Sequence, residues 1–287
     1  NDITDWDEIS ASTGDISLTA AGLLSANDVG NDIDTAAAHS GDITISAASM
    51  TVTNDIDTTG AVDITLTGGS AASTVTNILG GTVSLAADTN DVTVATATSG
   101  DAIIVSGSAD VNLGSVTTYV LNTTSSTGDI TATIAADAGS GAVAVSMGAG
   151  NDTLIANANI AFTVNAGDGT NTYTATDNAT GSSYVGGSGV DTINANDTSA
   201  GTTSTFTTGG GNDVIIIADV AGGNDTFSAG AGDDSITIAD ELGQGRAGET
   251  TTINGGDDND TLVFGTDAIT YGNDLVISNI ETVDITV

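Results

Sequence analysis

One phrase returns along this chain and narrows what it can fold into. A Gly or Asn is followed by Asp and then by alternating apolar residues. It reads Gly14-Asp15-Ile16-Ser17-Leu18, returns as Gly41-Asp42-Ile43-Thr44-Ile45 and Asn90-Asp91-Val92-Thr93-Val94, and again as Gly128-Asp129-Ile130-Thr131. Shorter copies are Asn31-Asp32-Ile33 and Asn54-Asp55-Ile56. Each copy is a turn followed by a short strand whose side chains alternate between two faces. No stretch sustains a helical period. Supersecondary units repeated every 20 to 30 residues or so suit one coil of a solenoid, since a single unit cannot bury its own apolar face and must stack on its neighbours. The expected fold class is all-β, a parallel β-helix or β-roll solenoid.

Charge sets the second constraint. The chain holds 38 acidic residues and one basic residue, Arg246, for a net charge of −37. No internal network of ion pairs can offset that self-repulsion, so the counter-charge must come from outside, and a divalent metal is the obvious source. Only Glu8, Glu241, Glu249 and Glu281 are glutamates; the rest are Asp, a short side chain suited to turns and to metal. A halophile-type acidic surface is the alternative, but it does not account for Asp recurring at fixed places after Gly. With no Lys cluster or basic stripe, nucleic acid and anionic membrane are poor partners. Cysteine and proline are absent, so no disulfide framework exists. No apolar run is long enough to span a bilayer. No leader is evident at Asn1, so either one has been removed or the chain starts inside a longer one.

Composition shifts near residue 147. Seven of the eight Phe and Tyr residues lie beyond it, and the turn phrase becomes richer in glycine. We divide the chain into 1–146, with Gly/Asn-Asp-Ile turns; 147–264, with glycine-rich turns; and 265–287, C-terminal strands that close or extend the solenoid. Residues Ala239 to Thr252 break the rhythm and read as a loop between coils, either a tolerated insertion or a contact with a neighbouring molecule.

The turns beyond 147 resemble the nonapeptide G-G-x-G-x-D-x-U-x, with U a large apolar residue, of the RTX calcium-binding family. Gly186-Gly187-Ser188-Gly189-Val190-Asp191-Thr192-Ile193-Asn194 matches every position. Three copies lack only the first glycine: Gly148 and Gly150 before Asp152, Gly209 and Gly211 before Asp213, and Gly230 and Gly232 before Asp234. In Gly255-Gly256-Asp257-Asp258-Asn259-Asp260, Asp258 stands where the third glycine belongs. Gly223-Asn224-Asp225 keeps only the second half, and Gly167-Asp168-Gly169-Thr170-Asn171 puts Asn in the Asp position. Glycine permits backbone conformations that a Cβ forbids. Calcium takes six to eight hard oxygen ligands, more than one turn supplies but within reach of two stacked turns. The resemblance implies several calcium ions bridging neighbouring coils through Asp carboxylates and turn carbonyls. The uneven steps between copies imply mainly one row of ions on one edge, closer to RTX solenoids of bacterial surface-layer proteins than to the tandem roll. The N-terminal Asp15, Asp42 and Asp129 could bind calcium singly or simply close a turn.

Catalytic signatures are missing: no zinc-protease helix motif, no phosphate-binding loop, no nucleophile elbow. His39 reads as a loop residue and Trp6 as a plug on the first coil. The expectation is a non-enzymatic, secreted, cell-surface structural protein that self-assembles in calcium into a surface layer or filament. Its partners would be its own copies and a cell-surface glycan as anchor, and the resemblance implies type I export. The alternatives are a calcium-stiffened adhesin or a ligand- or ice-binding module, with threonines such as Thr202, Thr203 and Thr205 as a flat row, or the non-catalytic C-terminal part of a secreted RTX protein.

Overall fold

The structure, a computed structural model, describes residues 2, 4, 9–11, 14–26, 33–35, 41–68, 71–136, 141–157, 160–176, 181–197, 203–220, 224–239, 250–265 and 274–285. Trp6, His39, Thr202, Gly223, Arg246 and Tyr271 lie outside the described residues, as do positions 240–249 of the expected loop. The chain forms two compact units, residues 1–139 with 147–149, and residues 140–146 with 150–287.

Every described element is a β-strand. In the first unit these are β1 (Ile9–Ala11), β2 (Ile16–Thr19), β3 (Leu23–Ala26), β4 (Ile33–Thr35), β5 (Ile43–Ala47), β6 (Ser49–Asp57), β7 (Val62–Leu66), β8 (Ser73–Gly80), β9 (Val83–Ala87), β10 (Val92–Ser99), β11 (Ala102–Gly107), β12 (Val111–Thr117), β13 (Val120–Ser126) and β14 (Ile130–Ala136). In the second they are β15 (Val143–Ser146), β16 (Thr153–Ala156), β17 (Phe162–Asn165), β18 (Thr172–Ala175), β19 (Ser183–Val185), β20 (Thr192–Asp197), β21 (Thr205–Gly210), β22 (Val214–Val220), β23 (Thr226–Ala231), β24 (Ser235–Ile238), β25 (Thr250–Asp257), β26 (Thr261–Phe264), β27 (Asp274–Ser278) and β28 (Thr282–Ile285).

Strands alternate between two parallel sheets. In the first unit one sheet runs β2-β5-β7-β9-β11-β13 and the other β1-β4-β6-β8-β10-β12-β14, with β3 also paired to β6. In the second, one runs β15-β17-β19-β21-β23-β25-β27 and the other β16-β18-β20-β22-β24-β26-β28. Each strand therefore pairs with the strand one coil away, and each unit is a parallel β-solenoid, as the repeats predict.

The period-two alternation explains why the coils stack. In the first unit, Ile16, Ile43, Val62, Val83, Ile103 and Leu121 stand in register on one inner column, and Leu18, Ile45, Ile64, Leu85 and Val105 on the next. From Ile43 to Leu121 and from Ile45 to Val105 these positions are at most 3 % exposed, so like apolar side chains sit on like along the axis and water is excluded. The second unit builds its columns from larger side chains. Val145, Val164, Tyr184, Phe206, Phe227 and Ile253 form one, and Leu154, Tyr173, Ile193, Ile215, Ile236 and Leu262 face them. The rings of Phe206 and Phe227 stack at 5.1 Å and those of Tyr173 and Tyr184 at 5.3 Å, geometry worth about 0.5–1.5 kcal/mol per pair beyond the area buried.

The outer face of β16 and its successors carries a threonine column that sequence order does not reveal. Thr153, Thr172, Thr192, Val214, Ser235, Thr261 and Thr282 are consecutive register partners. This row runs from coil to coil, whereas Thr203 precedes β21 and Thr205 opens it.

Candidate functional site

Strand parity decides where each Asp goes. In the Gly-Asp-Ile phrase the Asp immediately precedes an inward residue and so faces out: Asp15, Asp42 and Asp91 are exposed beside buried Ile16, Ile43 and Val92. In the glycine-rich phrase the Asp stands two places before the inward residue and faces the same way as that residue. Asp152, Asp191, Asp213, Asp234 and Asp260 are accordingly 0–3 % exposed. Shifting one carboxylate by one residue moves it from solvent to core.

The buried residues form a single row, one rung per coil. The backbone N–H of each rung donates to the side chain of the next: Asp152 to Asn171 Oδ1 (3.0 Å), Asn171 to Asp191 Oδ1 (3.2 Å), Asp191 to Asp213 Oδ1 (2.7 Å), Asp213 to Asp234 Oδ1 (2.7 Å), Asp234 to Asp260 Oδ1 (2.9 Å) and Asp260 to Glu281 Oε2 (2.8 Å). Steps between rungs range from 19 to 26 residues. The longest step, Asp234 to Asp260, spans positions 240–249 and loses no rung; Thr250 to Thr252, expected in the loop, belong to β25.

At Asp191, Asp213, Asp234 and Asp260 one carboxylate oxygen is thereby satisfied, and the other is not. Oδ2 of Asp191, Asp213, Asp234 and Asp260 is buried without a hydrogen-bond partner. Burial is the main cause that raises all four carboxyls above the usual range. Asp191 is pushed up to about 6, with the neighbouring charge of Asp213 adding to burial. Asp234 also reaches about 6, where the hydrogen bond from Asp213 N–H partly offsets burial. The same kind of bond opposes burial at Asp213, from Asp191 N–H, and at Asp260, from Asp234 N–H. Tyr184, beside this row, is raised above the usual tyrosine range by burial and then by the charges of Asp191 and Asp213.

The glycines make the turn narrow enough to stack. Gly167, Gly169, Gly209, Gly211, Gly230, Gly232 and Gly256 have φ between 73° and 134°, a region that penalises side chains. At Gly187 and Gly189 a Cβ would meet the carbonyls of Gly167 and Gly169 at 2.1 and 1.8 Å, and at Gly148 the carbonyl of Ser126 at 2.2 Å. Gly150 is buried two residues before Asp152. The first glycine of the phrase has a different task. At Gly186 a Cβ would lie 1.9 Å from Asp191 Oδ2, and at Gly255 2.4 Å from Asp260 Oδ2. No left-handed φ is required at that position, and Thr208 and Ala229 occupy it in the following coils. Asp258 takes the third-glycine place at φ 81°, a conformation Asp tolerates better than most residues.

Asp225 is not in this row. It lies 12 residues after Asp213, about half a coil, and so precedes β23 in the opposite sheet. There Ser204 N–H donates to its Oδ1 at 2.7 Å, and Ser182 N–H donates to Ser204 Oγ at 3.1 Å. Conversely, Glu281 is a rung that the glycine phrase does not mark; its signal was the 21-residue step from Asp260. The N-terminal Asp residues bridge coils from the outside: Asp15 accepts from Asp42 N–H at 3.0 Å, Asp42 from Ala61 N–H at 2.9 Å and Asp110 from Asp129 N–H at 2.8 Å.

Thr208 shows how tightly the row is supported. Its hydroxyl, buried, donates to the Ala229 carbonyl at 2.6 Å and adjoins the Asp213 carboxylate. Thr208→Val keeps the shape and removes the donor, and is expected to lower stability by about 1–2 kcal/mol, with Thr208→Ser close to wild type in the same denaturant titration.

Could the row hold a cation? Among the described residues no three acidic or histidine side chains converge on one point, so an ion here would take at most two carboxylates and draw its remaining ligands from turn carbonyls or water. Rungs at strand spacing of about 4.8 Å place two carboxylates within reach of one ion, and the partnerless Oδ2 atoms are the oxygens it would use. The donor set is hard oxygen throughout, which fits calcium rather than a thiophilic metal. No helix among the described residues is long and apolar enough to cross a membrane. No family model, curated protein or solved structure matches the chain.

Proposed function

We propose that this protein is a non-enzymatic extracellular structural protein, stiffened by calcium along the buried carboxylate row, that self-associates into a surface layer or filament. The observation that carries the reading is four successive buried carboxylates, Asp191, Asp213, Asp234 and Asp260, each with an oxygen lacking a partner, in a chain with one basic residue. Buried anions without compensation cost several kcal/mol each, and Asp191 and Asp234, raised to about 6, are ionised at neutral pH. A divalent ion between rungs supplies what the sequence lacks. Extracellular modules of this kind fill at about 10⁻⁴–10⁻³ M calcium, a supply found outside the cell; export by a type I route and a glycan anchor belong to the same proposal.

Support for association between copies comes from β27 and β28. Val276, Ile277, Val283 and Ile285 are 41–65 % exposed, although Ile277 and Val283 continue the inner columns of Ile253 and Leu262. An apolar strand edge of this kind templates another strand; a second copy is the partner this proposal gives it, and a further coil of the same chain would instead leave a monomer. The expected result is assemblies in millimolar calcium, seen by electron microscopy and sedimentation, that dissolve on chelation and do not form in Val283→Lys/Ile285→Lys. Monomers in both conditions would refute assembly.

The threonine column on the outer face of β16 to β28 favours a second reading, a calcium-stiffened adhesin or ice-binding module. It predicts a monomer in calcium that retains ice or glycan and loses that retention in Thr172→Tyr/Thr192→Tyr.

A further inference from the structure

The row is not uniform along its length. At Asn171 the side-chain oxygen accepts from Asp152 N–H at 3.0 Å, as the carboxylates do for their own neighbours. Its other terminal atom differs. Nδ2 donates to the Gly167 carbonyl at 3.4 Å, and the amide beside Asp191 opposes the burial that raises that carboxyl. The amide is 2 % exposed and does in this coil what an ion would do in others: it presents positive hydrogens to a turn carbonyl. It carries no charge that would call for a counter-ion. At the far end, Glu281 is the last acid of the row and is itself exposed, its longer side chain reaching back to Asp260 N–H.

We infer that Asn171 is a built-in end stop, so that the cation row begins at Asp191 and leaves Asp152 outside it. This inference rests on the cation reading given above. Four inter-coil positions then have an acid on both rungs: 191/213, 213/234, 234/260 and 260/281. The positions on either side of Asn171 have one acid each, and the amide already occupies the turn carbonyl that an ion would need. The consequence is a calcium row with a defined start within an otherwise repetitive stack, with Asn171 rather than the glycine pattern deciding where it begins; Gly167 and Gly169 share the positive φ of the other turns.

The test is the number of calcium ions bound per chain, measured by native mass spectrometry and by calorimetric titration on the full chain. Asn171→Asp adds a carboxylate next to two others and is expected to raise the count by one or two ions over wild type. Asp213→Asn copies the end stop into the middle of the row, keeps the rung hydrogen bonds, and is expected to lose the ions on both sides of residue 213 while circular dichroism in calcium stays that of a folded solenoid. An unchanged count in Asn171→Asp overturns the inference. If Asn171→Asp does not fold, Asp213→Asn decides: an undiminished count overturns it. A wild-type chain that binds no calcium sinks the cation reading itself, a result distinct from either variant outcome.

Discussion

Metal-free protein is expected to melt higher at pH 4.5 than at pH 7.5, and calcium is expected to reverse that order. The first half follows from the buried carboxyls alone. Asp191 and Asp234 are raised from 3.8 to about 6 in the folded chain, and Asp213 and Asp260 are raised by the same desolvation. The folded state therefore binds protons more tightly than the unfolded state. Stability from these groups is fully present below about 3.8 and is lost as pH rises through about 6. Neighbouring acids, Asp233, Asp258 and Glu281, add repulsion of the same sign at Asp260. The summed loss is on the order of a few kcal/mol after allowing for screening in the turns, or about 5–10 °C in melting temperature. Calcium inverts the linkage, because an ion held between rungs favours the ionised carboxylate and pulls its folded pKa below the unfolded value. Stability is then present above about pH 4 and lost on acidification. Melting curves by circular dichroism at the two pH values, with chelator and with millimolar calcium, give four numbers. The same pH slope in both conditions would refute calcium binding to the row, and a metal-free melting temperature that rises with pH would refute the buried, partnerless state of its carboxylates.

Gly230→Ala is expected to cost at least about 3 kcal/mol, whereas Gly210→Ala, in the same kind of turn, costs nothing measurable. Gly230 has φ 115°, and a Cβ there would sit 2.0 Å from the Gly209 carbonyl of the preceding coil. Strain in that region contributes about 1–3 kcal/mol. The obstructing atom is backbone, so relief requires moving a whole coil away from its neighbour and stretching the ladder between β21 and β23. At Gly210 nothing lies closer than 3.9 Å and the φ is not in the left-handed region, so alanine there falls within the ±0.5 kcal/mol typical of tolerant surface sites. In a solenoid each coil touches only its neighbours, so the damage spreads by local uncoupling rather than uniform weakening. Hydrogen exchange should accordingly show lost protection centred on β21 to β25. Equal stabilities for the two alanine variants would contradict the stacking geometry of these turns.

Much of this architecture was legible before any coordinates. Short strands with period-two alternation and glycine-rich turns dictated an all-β stack, because such segments bury an apolar face only against copies of themselves. Once the structure places the strands, parity separates two kinds of Asp. One residue before an inward side chain, as at Asp42, gives an exposed carboxylate; two before it, as at Asp213, gives a buried one. What counting along the chain could not decide is which residues share a column. Coil length varies from 19 to 26 residues along the row, so register is set by the ladder hydrogen bonds and the stacking of inner side chains, not by a constant step. Only the folded chain therefore sends Asp225 to the opposite sheet, brings Glu281 in as the last rung and lets Asn171 take a carboxylate's place. It alone shows that Gly186 and Gly255 leave room for a carboxylate while Gly209, Gly211, Gly230 and Gly232 provide a backbone angle. The sequence by itself determined that acids would recur at the coil edges. The three-dimensional stacking decided which of them lose their water together, because desolvation depends on what lies one coil above and below.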